Sequence, residues 1–225
     1  MKILVKIATR ERPHMLLPLL AELKKRFSNE NTYQVVLSCD DDDEVMKAVT
    51  INDDKVSIFF SPYVDKMNAC NRDIDKVPDD WDVLMAIDDD MMPVIDNWDK
   101  YISDGYEKHF PDTDGVLWFC DGHREDLNTY ALMGNKYYKR FNYIYHPAYK
   151  AFFCDNEFHA VAMKLGKCAK YMWPTVVIEH QHYSFYNDCR GNNLNGADDL
   201  QCRNRKHWEH DANIFSQRSK INYGL

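Results

Sequence analysis

Four short apolar runs, each closed by polar residues and separated by stretches of helical periodicity, constrain the first half of this chain more than any other feature. Residues 3–7 (ILVKI) read as a buried strand that ends at the polar segment 9–13 (TRERP). Residues 14–27 then place Leu16, Leu17, Leu19, Leu20, Leu23 and Phe27 at helical spacing. Residues 33–39 (YQVVLSC) read as a second strand, followed by an acidic turn at 40–44 and a short helix near 45–49. Residues 56–60 form a third strand, 66–76 a helix, and 81–87 (WDVLMAI) a fourth strand. Strand and helix alternate, which predicts an α/β fold with a mainly parallel sheet flanked by helices. Such sheets bind ligands beyond the C-terminal ends of their strands. Residues 9–12, 40–43, 61–62 and 88–90 fall at such ends, so they are expected to meet on one rim.

The second half is patterned differently. Residues 115–119 read as a fifth strand, and 129–153 are rich in Tyr and Phe with mixed periodicity. Residues 158–165 look helical, 171–178 look like a strand, and 200–220 look like a terminal helix with a basic face. Residues 187–199 are polar and rich in Gly and Asn, which predicts a flexible loop.

A length of 225 residues suits one domain. Net charge is −8, which argues against nucleic acid as a partner. The seven Cys include no CxxC pair, so reduced thiols and a cytoplasmic setting are expected. No apolar run approaches a bilayer span, and the start does not read as a signal peptide.

Asp88-Asp89-Asp90 directly follows the fourth strand. Adjacent carboxylates repel one another, and a hard divalent cation such as Mg²⁺ or Mn²⁺ relieves the repulsion while sharing its shell with phosphate oxygens. His180 and His182 follow the last strand and offer a nitrogen ligand or a phosphate contact. Asp155 precedes a helix, where a carboxylate serves as a cap or as a general base. Arg10, Arg12, Lys66 and Arg72 are cations suited to phosphate or a base, and Asp40 stands first after the second strand. Trp and Tyr residues between 118 and 149 offer surfaces for sugar rings or, for more of them, core packing.

The order of these features resembles the GT-A glycosyltransferases, especially the large inverting family that uses nucleotide-sugar donors. Thr9-Arg10-Glu11-Arg12-Pro13 resembles the first strand–loop, which lies against the nucleotide base. Asp40 resembles the acidic residue that contacts the base. The segment Lys66-Met67-Asn68-Ala69-Cys70-Asn71-Arg72 resembles the Ala-x-Asn helix before the metal strand. Asp88-Asp89-Asp90 resembles the DxD signature, whose last Asp ligates the metal and whose first lies near the ribose. Cys154-Asp155-Asn156-Glu157-Phe158 is similar to the Glu-Asp-x-Asp-Leu element, with Cys in place of the first acid. His180 resembles the late His of the metal site.

The resemblance implies one GT-A-like domain over 1–225, with a donor-binding half at 1–115 and an acceptor half at 116–225. It implies a metal-dependent sugar transfer from a UDP- or GDP-sugar to a glycan or glycoprotein hydroxyl, with inversion. Mn²⁺ or Mg²⁺ would be held by Asp90, His180 and Asp88, and Asp155 would be the base. Thr9, Arg10, Arg12, Asp40, Lys66, Asn71, Asp88 and Asp89 would meet the donor, Asp89 also as support. Trp118, Asp121, Glu157 and His182 would lie on the acceptor side. Small enzymes of this kind occur in bacteria and in large DNA viruses, the latter working in the host cytoplasm. The rival readings are a nucleotidyltransferase, which would carry an early Gly-rich loop that residues 8–13 lack, and a binding module without catalysis.

Overall fold

The structure, a computed structural model, describes residues 1–182 and 199–225. Strands β1 (Lys2–Ala8), β2 (Thr32–Asp40), β3 (Val56–Ser61) and β4 (Val83–Asp88) are linked by α1 (Pro13–Lys25), α2 (Glu44–Lys47) and α3 (Lys66–Asn71). After β4 come β5 (Met91–Pro93), α4 (Trp98–His109), β6 (Val116–Trp118), β7 (Ala131–Gly134), α5 (Asn135–Tyr138), α6 (Cys154–Lys164), β8 (Cys168–Lys170) and β9 (Ile178–His180). Helices α7 (Asp199–Arg205) and α8 (Trp208–Lys220) close the chain. No helix among the described residues is long and apolar enough to cross a membrane.

The main sheet has the order β3-β2-β1-β4-β7-β6-β8. β1 pairs in parallel with β2 and β4, and β2 with β3, as the strand–helix alternation predicts. Alternate side chains of the strands face opposite sides. Val5, Ile7, Leu37 and Met85 pack with Leu16, Leu19 and Leu23 of α1. Leu4, Val36 and Leu84 face the other way, against Met67 and Cys70 of α3 and Phe158 of α6. The register sets Ala8 beside both Ser38 and Asp88, and Asp40 beside Ser61. The predicted convergence on one rim is therefore built into the pairing.

Several local expectations change. The helix expected at 66–76 stops at Arg72, Asp73 takes a left-handed φ of 71°, and a single 3-10 turn follows at Ile74–Lys76. The stop is held by Arg72, which donates to Cys39 O, and by Asp73, which accepts from Ser38. The strand expected at 171–178 is mostly a turn. Met172 has φ 53°, Thr175 N–H donates to Met172 O, and Pro174 has no N–H to give a ladder. Between Pro93 and Gly115 the sequence reading assigns no element, yet α4 buries Trp98, Ile102 and Tyr106 at four-residue spacing. The terminal helix is split into α7 and α8 at residues 206–207. The loop expected at 187–199 falls outside the described residues, except for Asp199, which begins α7.

Candidate active site

Asp88 is the last residue of β4, and Asp90 lies in the turn that leads into β5. β5 pairs antiparallel with β9, with Met91 opposite His180. Gln181 N–H donates to Asp90 O at 2.8 Å and His180 N–H to Asp121 O at 3.0 Å, which fix the ribbon in place. One ligand atom each from Asp88, Asp90 and His180 then lies within 4.8 Å of the others. His180 Nε2 is 3.5 Å from Asp90 Oδ1. Among the described residues this buried Oδ1 accepts no hydrogen bond, a costly arrangement unless a cation completes it. Burial alone would raise the Asp90 carboxyl, but His180 and Lys66 hold it well below the usual range. Burial likewise opposes a charged His180, and the Asp90 carboxylate more than offsets it. Two carboxylates and an imidazole fit Mn²⁺ or Mg²⁺.

Asp89 turns away from this cluster. Its carboxylate accepts from Thr9 Oγ1 at 2.8 Å and from Arg12 Nη1 at 2.5 Å. Burial pushes it up to about 7, against the pull of Arg12. Thr9, Arg12 and Asp89 all line the cleft. Their polar groups, however, lock the β1 loop onto the β4 turn. Asp89 is thus engaged by Thr9 and Arg12 of the same chain, at the wall of the cleft where a donor contact was expected.

On the other flank, Asp40 accepts from Arg72 at 2.9 Å and from Arg10 at 3.0 Å. Arg10 also grips Asp42 and lies 5.1 Å from the Tyr63 ring centre. Tyr63 is half exposed and lines the cleft. The sequence reading missed it, although an aromatic just past a strand end is a signal for a stacking surface. Lys66 Nζ sits 2.7 Å from Asp88 Oδ2. Asn71 corrects an expectation. Its amide donates to Tyr145 O and accepts from the N–H groups of Ile144 and Tyr145, so it ties down a loop and does not line the cleft.

Asp155 lies in the first turn of α6 and lines an adjoining chamber of about 580 Å³ with Lys66, Asp88, His180, His182 and Arg124. That volume suits a small ligand. Burial raises its carboxyl above the usual range. Burial also pushes the His182 imidazole down to about 4. The other three acceptor-side expectations fall outside both cavities. Trp118 packs edge-on against His159 and Trp173. Asp121 accepts from His123 N, Arg124 N and Thr129 Oγ1, shaping the loop that carries Arg124 into the chamber. Glu157 is buried against Arg218 of α8 and the Tyr149 hydroxyl. Arg205 lines both cavities and was likewise missed. So was Asp211 of α8, whose carboxylate accepts the N–H groups of Lys150, Ala151 and Phe152.

Staphylococcus aureus TarS, residues 1–349 in complex with UDP, matches this architecture with a TM-score of 0.60 at 14% identity, over 80% of this chain and 60% of that one. The chain has the GT-A fold. A Drosophila β-1,4-galactosyltransferase 7 mutant, in complex with manganese, UDP-Gal and xylobiose, shares the GT-A architecture with a TM-score of 0.53 and 14% identity, over 82% of this chain and 72% of that one. The mannosyltransferase PcManGT from Pyrobaculum calidifontis, in complex with GDP-Man and Mn²⁺, matches with 0.61 and 12%, over 80% and 56%. The chain thus spans about 60% of the length of the first of these GT-A structures. No family model matches the chain, and no curated protein matches its sequence.

Proposed function

We propose that this chain is a metal-dependent glycosyltransferase that moves a sugar from a nucleoside diphosphate to an acceptor hydroxyl with inversion. The observation that carries the reading is one continuous chamber bordered by Asp88 and His180 and by Asp155. The solved structures of the same fold carry UDP, UDP-Gal and GDP-Man, which supports a UDP- or GDP-sugar donor. Residues 1–115 supply the donor side and 116–225 the acceptor side, where a glycan or glycoprotein hydroxyl enters.

Tyr63 and Arg10 offer a flat surface for the base, and Asp40, fixed by two guanidiniums, presents acceptor oxygens to its edge. Asp90, His180 and Asp88 are the residues suited to hold Mn²⁺ or Mg²⁺, which when bound compensates the charge of the departing diphosphate. Asp155 takes the proton of the acceptor hydroxyl, whose oxygen attacks the anomeric carbon on the face opposite the leaving group. Burial favours this role, because a raised carboxyl is a stronger base once ionised.

The test is a screen of UDP- and GDP-sugars with Mn²⁺, followed by Asp155→Asn on the active donor. Loss of a positioned base costs roughly a hundredfold to ten-thousandfold in turnover, with donor affinity kept within about twofold. A variant that loses donor binding as severely as turnover removes Asp155 as the base. An Asp90→Ala variant that binds donor with unchanged metal dependence removes the metal assignment.

A further inference from the structure

Lys66 is in an unusual place for a residue that is to meet a phosphate. It begins α3, and its ammonium lies 2.7 Å from Oδ2 of Asp88, one of the three candidate metal ligands. Neither side chain is fully buried, with 32% and 26% of their surface exposed, so the pair has room to separate. Lys66 lines both the base-side cleft and the Asp155 chamber. Its flexible four-carbon stem therefore lets the ammonium leave Asp88 without any movement of the helix.

We propose that Lys66 is a tethered cation that makes metal binding and donor binding interdependent, a reading that rests on the metal site proposed above. With no donor present, the ammonium holds Asp88 and opposes a second cation there by like-charge repulsion. A donor brings a diphosphate, which gives the ammonium another anion to pair with. Lys66 then releases Asp88 to the metal site, and each ligand tightens the other to the same degree, as linkage requires. The device keeps the site from closing on a metal before there is a leaving group to stabilise.

The test is Mn²⁺ binding followed by the electron paramagnetic resonance of the free ion, with and without UDP or GDP, corrected for Mn²⁺ held by the nucleotide alone. The proteins are the full chain, Lys66→Met and Lys66→Gln, each checked for folding by its thermal melt. We expect Lys66→Met to bind Mn²⁺ alone about tenfold more tightly than the parent, the order of a typical coupling. The nucleotide should strengthen Mn²⁺ binding to the parent by about tenfold and to the variants by much less. If both variants bind Mn²⁺ alone no better than the parent, while nucleotide still strengthens binding in all three, the switch is overturned and the metal site stands. If none of the three binds Mn²⁺ even with nucleotide, the metal site falls and the switch with it.

Discussion

Asp211 is fully buried on α8, 60 residues from the loop it holds, and replacing it gives the sharpest test of how the active site is braced. Its carboxylate accepts the N–H groups of Lys150 at 3.1 Å, Ala151 at 2.8 Å and Phe152 at 2.8 Å. Ala151 and Phe152 line both cavities, and Asp155 follows three residues after Phe152. Hydrogen bonds to a charged group are worth roughly 1.5–3 kcal/mol each, so three would sum to about 4.5–9. Residues 150–152 are only half-buried, and water entering the gap returns much of that sum. We therefore expect Asp211→Ala to cost about 3 kcal/mol, and Asp211→Asn, which keeps one acceptor oxygen, about half as much. For a chain of this size 3 kcal/mol lowers the melting temperature by roughly 6–12 °C. Urea unfolding reads the stability, and amide hydrogen exchange reads the three N–H groups directly. Unchanged stability in Asp211→Ala, together with unchanged protection at 150–152, would refute the bracing argument.

Two further outcomes separate structure from chemistry. Burial lowers Lys6 from 10.5 to about 8, although Cys70 and Asp73 pull the other way. Below pH 8 the folded and unfolded states both carry the proton and the penalty is complete. Between pH 8 and 10.5 the folded state has lost it first, so this group's contribution to stability rises with pH. The rise is about 3 kcal/mol at 1.36 kcal/mol per unit. Burial raises the Cys39 and Cys70 thiols to about 12 and 11, which acts in the opposite direction above pH 9. The readout is accordingly the difference between the parent and Lys6→Met in urea unfolding at several pH values, and parallel curves would contradict it. Asn71→Ala should lose about 2–3 kcal/mol by leaving the 144–145 backbone unpaired, with donor affinity little changed in calorimetry. A large loss of donor affinity in a variant of normal stability would return Asn71 to the donor site.

The parallel half of the sheet was legible because β1 to β4 are short, apolar and separated by helices of clear periodicity. Parallel pairing then carried Thr9, Asp40 and Asp88 to one rim with no further assumption. The candidate metal cluster was legible in part, since the parallel pairing that sets Asp88 at the rim leaves Asp90 in the turn after it, and the β5–β9 ribbon brings His180 to the same place. Elements of the second half were hidden. α4 carries charged residues between its core positions, and it buries Asp99 and Gly105 along with Trp98, Ile102 and Tyr106, so its apolar stripe is narrow. Residues 171–178 are apolar enough for a strand, but Pro174 and the positive φ of Met172 decide for a turn. Tyr63 was missed because an exposed aromatic has no periodic neighbour to mark it.

The two acceptor-side carboxylates that lie outside the cavities, Asp121 and Glu157, share one physical cause. A sequence cannot distinguish a carboxylate that meets a ligand from one buried to satisfy backbone and guanidinium donors. Asp121, Glu157 and Asp211 are all of the second kind, each accepting three or more hydrogen bonds from its own chain. Asp155 differs in the quantity that matters. Among the described residues it accepts only the N–H of its neighbour Asn156, and it borders a chamber with Asp88 and His180. A carboxylate with acceptor capacity left over, raised by burial and facing an open volume, is suited to take a proton. One whose oxygens are already engaged by donors is suited to hold a loop. Glu157 and Asp211 fasten α8 to α6 and to the 150–152 loop on either side of Asp155. The terminal helix is on this account part of the scaffold that positions the proposed base, and damage to either contact should lower the proposed sugar transfer through the position of Asp155 before it affects the donor cleft.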